Sequence, residues 1–159
     1  MGEEKWEGKA VVELPGTGAE EAWGALEDFC NLQKWFPIDT CYRLEGVAGE
    51  PGLTRYCASD VKGATMWAKE KLLAMDPIQR CLSYEIVENN IGFKSYVATF
   101  QVAPLPNGGC KIEWGFLSDP IHGWTFQDLK GYVDSTLHFM ANKIQLASSN
   151  SSSSSASAA

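Results

Sequence analysis

The chain has 159 residues, 45% of them hydrophobic, which suits one domain with a sizeable core. A formal net charge of −7 argues against nucleic acid or an anionic membrane surface as partner. No apolar run approaches the ~18 residues of a spanning helix, so no stable membrane insertion is expected.

The five cysteines, Cys30, Cys41, Cys57, Cys81 and Cys110, are odd in number, scattered and without CxxC spacing. Reduced thiols in a cytoplasmic protein are the expectation. With only His122 and His138 beside them, and no clustered ligands, no metal site and no cofactor are expected. Met1-Gly2 begins like an acylation signal, but Trp6 stands where Ser or Thr is required. The first residues also lack the basic-then-apolar pattern of a secretion signal.

Trp6 to Leu14 alternates as a half-buried strand, ended by Pro15-Gly16. Thr17-Gly18-Ala19-Glu20 has the form of a capping box, followed by Ala22, Trp23, Leu26 and Phe29 at helical spacing. A second short helix through Leu32–Phe36 is stopped by Pro37. Strands are then predicted at Cys41–Gly46, Leu53–Ala58, Met66–Met75, Cys81–Glu88, Lys94–Ala103 and Cys110–Leu117. Turn signals separate them, as in an antiparallel meander. Thr125-Phe126-Gln127-Asp128 starts a helix with an apolar stripe of Phe126, Leu129, Val133, Leu137, Met140 and Ile144. Such a helix belongs in the concave face of the sheet. Residues 1–147 read as one domain. The Ser/Ala run at 148–159 reads as a disordered tail, and its Asn150-Ser151-Ser152 sequon as chance.

Strand phase locates the candidate site. In Met66–Met75 both lysines, Lys69 and Lys71, lie on the odd face. Glu70 therefore points inward with Met66, Ala68, Leu72 and Ala74. The same rule turns Leu53, Arg55 and Cys57 inward, and likewise Leu82, Tyr84 and Ile86. It also turns in Tyr96, Ala98, Phe100 and Val102, then Ile112, Trp114 and Phe116. A hydrophobic chamber with a few convergent polar groups is how small-molecule sites are built. A buried carboxylate needs a partner, and Arg55 on the preceding strand is the obvious one. The pair is either structural or a charged acid–base device for proton transfer. Tyr84, Tyr96 and Trp114 fit core or wall positions, while His122 and His138 read as incidental, His138 standing next to Leu137 of the apolar stripe.

The chain resembles the plant lachrymatory-factor-synthase-like proteins. These lie within the helix-grip superfamily of START domains, Bet v 1-like allergens, polyketide cyclases and abscisic acid receptors. The resemblance runs from about Trp6 to Leu146, most tellingly in Arg55-Tyr56 together with Trp67-Ala68-Lys69-Glu70-Lys71-Leu72. It implies an α+β helix-grip fold: a curved seven-stranded antiparallel sheet, two short helices, and a long C-terminal helix enclosing a cavity. It also implies cofactor-free isomerisation of an alkenyl sulfenic acid to a thial S-oxide. Glu70 would shuttle the proton, Arg55 would orient the substrate oxygen, and Tyr84 and Tyr96 would line the pocket. Trp114, Phe100, Leu82 and Leu137 complete the expected ligand-binding set. The segment Ser59–Thr65, near the expected mouth, is shorter than in those synthases, and the gate and latch sequences of hormone receptors are absent. The expected partner is a small hydrophobic or amphipathic molecule bound by a monomer. The alternatives are a non-catalytic carrier or sensor of a lipid, hormone or phenolic ligand, and a partner-binding module.

Overall fold

Alternation builds the first strand as expected. The computed structural model describes residues 4–158, with side chains through residue 149, and in it β1 spans Trp6–Leu14. Met1-Gly2 and the side chains of the Asn150 sequon lie outside the described residues. β1 is followed by α1 (Ala19–Glu27), a 3₁₀ turn (Leu32–Lys34) and six further strands. These are β2 (Thr40–Glu45), β3 (Thr54–Val61), β4 (Ala64–Asp76), β5 (Cys81–Asn89), β6 (Tyr96–Pro104) and β7 (Cys110–Ser118). The last element is α2 (Phe126–Ala158).

All seven strands form one antiparallel sheet in the order β1-β7-β6-β5-β4-β3-β2. The connection holding α1 and the 3₁₀ turn carries the chain from one sheet edge to the other. α2 lies against the inner face with Leu129, Val133, Leu137, Met140 and Ile144 buried. This is the α+β helix-grip architecture, with one short α-helix and a 3₁₀ turn where two short helices were expected.

Several local expectations are corrected. Helix α1 begins one residue after Gly18, with no side-chain cap, and the Thr17 hydroxyl is buried without a partner. The reciprocal cap occurs at α2 instead. Thr125 N–H donates to Asp128 Oδ2 at 2.8 Å, and Asp128 N–H donates to Thr125 Oγ1 at 3.1 Å. The β3–β4 ladder runs further than the expected strands Leu53–Ala58 and Met66–Met75. Lys62 (φ 52°) and Gly63 (φ 83°) make a two-residue turn with both φ positive, so the ladder runs on to Val61 and Ala64. In β4 the register shifts between Leu72 and Ala74. The extra residue reverses the phase, so Ala74 faces solvent and Met75 packs on the core. Ser148, where the Ser/Ala run begins, is buried and donates to Glu21 Oε2 at 2.9 Å, and α2 extends to Ala158.

Between β2 and β3, Gly46 has φ +95°, and a Cβ there would lie 2.6 Å from Leu53 Cα. Gly49, at φ +82°, has open space. Gly46→Ala is expected to lower stability by on the order of 2 kcal/mol or more, and Gly49→Ala by about 1 kcal/mol. Urea denaturation of both variants checks this ordering, which fails if the two costs are equal.

Candidate functional site

The site begins with a register pair. Arg55 on β3 stands directly opposite Glu70 on β4, and both side chains turn to the concave face. Arg55 Nε donates to Glu70 Oε1 at 2.8 Å, and Nη2 lies 2.7 Å from the same oxygen. Nη1 donates to the Phe29 carbonyl at 2.8 Å, just past the end of α1. The guanidinium is clasped between aromatic rings, 3.8 Å from the Phe29 centroid and 4.7 Å from that of Tyr84. Its side chain is only 3% exposed. Burial alone would push the guanidinium down, but the Glu70 carboxylate, with Cys57 and Tyr84 adding, holds it above its ordinary value. Arg55 is therefore a fixed cation.

Beyond this pair lies a cavity of about 380 Å³. Glu70, Cys57, Ala68, Tyr84, Tyr96 and Trp114 form its sheet side. Leu32, Phe36, Pro37 and Ile38 come from the β1–β2 connection, and Leu129 and Tyr132 from α2. Ser59, Val61, Met66 and Trp67 approach along the β3–β4 hairpin, with Ile91, Phe93 and Trp124 from neighbouring loops. Asn89 orders one of those loops, because its Oδ1 accepts from the N–H groups of Ile91, Gly92 and Phe93 at 2.9–3.1 Å. Asn90 ties that loop to β4, accepting from Trp67 N–H and donating to Thr65 O, both at 2.8 Å.

Glu70 is the one carboxylate in this lining among the described residues. Its Oε1 takes both Arg55 contacts, with the Cys57 thiol 3.8 Å away. Its Oε2 has no hydrogen-bond partner among the described residues, and the side chain is 13% exposed, so that oxygen is open to the cavity. Trp114 Nε1 donates to the Tyr96 hydroxyl at 3.2 Å, leaving the phenol proton available to another acceptor. Burial pushes the Tyr84 and Tyr96 phenols above their ordinary range, with the Glu70 charge adding to the effect at both. Both therefore stay neutral hydrogen-bonding groups.

The expected site residues divide into two sets. Glu70, Tyr84, Tyr96 and Trp114 meet at the cavity wall. Arg55 sits behind Glu70, so the direct orientation of a substrate oxygen implied by the resemblance has no geometric support here. Phe100, Leu82 and Leu137 point inward but lie in packed core. Phe36 swings over Phe100 and Trp114, with centroids 6.4 and 5.6 Å away, and fills that end of the chamber. His138 is solvent-facing, its Nδ1 2.8 Å from the Asp134 carbonyl. Phe93, Trp124 and Tyr132 are lining residues missed by sequence reasoning. Cys57, turned inward by phase, also lines the cavity, although it was not among the expected ligand-binding residues.

Comparison with known proteins decides the family. The family model described as polyketide cyclase/dehydrase and lipid transport matches residues 6–145. The chain belongs to that family. Solved structures share its fold at low sequence identity. The crystal structure of Ara h 8.0201 is 18% identical with a TM-score of 0.71, covering 89% of this chain and 98% of its own. The protein XoxI from Bacillus cereus is 20% identical with a TM-score of 0.72, covering 89% and 94%. Ginseng major latex-like protein 151 from Panax ginseng is 20% identical with a TM-score of 0.69, covering 89% and 96%. Together with the apolar cavity, family membership is consistent with hydrophobic ligand binding.

Two outcomes follow from the site. Arg55→Met should cost about 3–5 kcal/mol by stranding a mostly buried carboxylate. Adding Glu70→Gln should recover much of that loss, and denaturant midpoints for the single and double variants measure it. Second, a phenol raised in the folded state stabilises the fold below its ordinary pKa of 10.0, and that contribution is lost as pH rises through the folded value. Absorbance at 295 nm should therefore show that Tyr84 and Tyr96 resist ionisation above pH 10 until the protein unfolds.

Proposed function

We propose that this protein binds a small, largely apolar molecule bearing a neutral hydrogen-bond donor and catalyses a cofactor-free proton transfer on it. The observation that carries the reading is the open Glu70 Oε2 in an otherwise hydrophobic cavity, with Oε1 locked by Arg55. An oxygen so placed accepts a proton from a hydroxyl-type donor and returns it to a nearby carbon. Arg55 acts as a positioning residue that holds the carboxylate in place. Tyr96 offers its hydroxyl proton to the substrate's acceptor atom, and the aromatic walls pack against its apolar part.

The resemblance to lachrymatory-factor-synthase-like proteins names a substrate that fits this chemistry. An alkenyl sulfenic acid offers its S–O–H proton to Glu70, which returns a proton to carbon to give the thial S-oxide. Five unbridged cysteines suit a reducing, cytoplasmic setting in a plant cell, and a monomer suffices because one chain supplies the whole cavity lining.

The assay supplies sulfenic acid from alliinase acting on an alkenyl cysteine sulfoxide and follows the thial S-oxide. Glu70→Gln should lower turnover by about 10²–10⁴-fold. Affinity for the neutral probe N-phenyl-1-naphthylamine should stay within a few-fold. Undiminished turnover in Glu70→Gln contradicts the mechanism. Probe binding with no turnover by the parent protein favours the carrier reading, which the mainly apolar lining also supports. Selectivity gives an independent check. A phenol should bind about tenfold or more tightly than the carboxylate of the same ring at neutral pH, since an anion would face Glu70 directly. Calorimetric titration of both ligands measures the ratio.

A further inference from the structure

The proton-transfer reading leaves Cys41 unused and treats Cys57 only as wall. These residues stand directly opposite each other in the β2–β3 ladder, both are buried, and their sulfurs are 3.7 Å apart. Opposed residues in an antiparallel pair have Cα atoms about 4.5–5.5 Å apart. That lies within the roughly 4.4–6.8 Å that a disulfide spans, so the register sets the two cysteines at bridging range. No other thiol pair comes within hydrogen-bonding reach among the described residues.

We propose that Cys57 in the cavity wall and Cys41 beside it on the edge strand β2 form a redox couple, which a hydroperoxide closes to a disulfide. The two surroundings assign the roles. Contact with Cys57, opposed by burial, lowers the Cys41 thiol to about 7. The same contact, together with burial, pushes Cys57 up and keeps its proton in place. Cys41 thiolate attacks one peroxide oxygen, and the O–O bond breaks. The sulfur is oxidised to a sulfenic acid while the other oxygen leaves as alkoxide, or as hydroxide when the oxidant is hydrogen peroxide. The Cys57 sulfur then attacks the Cys41 sulfur. The S–O bond breaks, and the departing hydroxyl takes the Cys57 proton as water. Closure removes the Cys57 S–H from its place 3.8 Å from Glu70 Oε1 and ties the edge strand β2 to β3, which links thiol state to the ligand site.

The test treats the full chain with hydrogen peroxide, alkylates the remaining thiols after denaturation, and maps the peptides. The expected result is loss of two of the five thiols, with one intramolecular Cys41–Cys57 linked product that dithiothreitol reverses. In Cys57→Ser, the Cys41 sulfenic acid should persist and be captured by dimedone. The proposal is overturned if Cys30 or Cys81 oxidises while both Cys41 and Cys57 stay alkylatable. Linkage of Cys41 to Cys30, or to a cysteine of a second copy, overturns it equally. The wild-type peptide map decides the matter even if the variant does not fold.

Discussion

A charge pair inside a hydrophobic sheet is a constraint before it is a device. Water solvates neither partner fully, so each must be satisfied by the fold. For Arg55 this is complete: two contacts to Glu70, one to the Phe29 carbonyl, and two aromatic faces. For Glu70 it is only half complete, because Oε1 is saturated and Oε2 is left to the cavity. A fully satisfied pair would be structural, and an unpaired carboxylate would be too costly to keep. The intermediate arrangement holds one oxygen rigidly and leaves the other free to act.

The rest of the structure serves that arrangement. The turn after α1 brings both the ring and the carbonyl of Phe29 to the guanidinium, so the helix end is wired to the charge pair. The β4 register shifts bend the strand beside Glu70. α2 supplies the opposite wall through Leu129 and Tyr132, while its later apolar residues, Leu137, Met140 and Ile144, fill packed core. The hollow thus occupies one end of the concave face, and Phe36 plugs the other.

Much of this was legible because period-two alternation is a strong signal where one sheet face is buried. The inward set of Arg55, Cys57, Glu70, Tyr84, Tyr96 and Trp114 follows from phase alone, while the antiparallel meander follows from the turn signals and the α2 stripe from its helical spacing. What phase does not carry is depth. Phe100, Leu82 and Leu137 share the inward direction with the lining residues, but whether space or a neighbour lies in front of them depends on Phe36, a loop residue without periodicity. Ala74 and Met75 exchanged faces because a bulge adds one residue and leaves no clear mark in composition. Thr17 resembled a cap by spacing, yet the helix started one residue too late for its oxygen to reach. Trp124 and Phe93 reach the cavity from loops, where the path is set by turns and by the Asn89 side chain rather than by any repeat.

The central claim is that the ligand meets the carboxylate and not the guanidinium. A crystal structure with a bound neutral phenol tests it most directly. The account predicts the ligand hydroxyl about 3 Å from Glu70 Oε2, with both Arg55 contacts to Oε1 unchanged. A ligand oxygen bound to Arg55 itself, or a phenol seated with its hydroxyl away from Glu70, would contradict it.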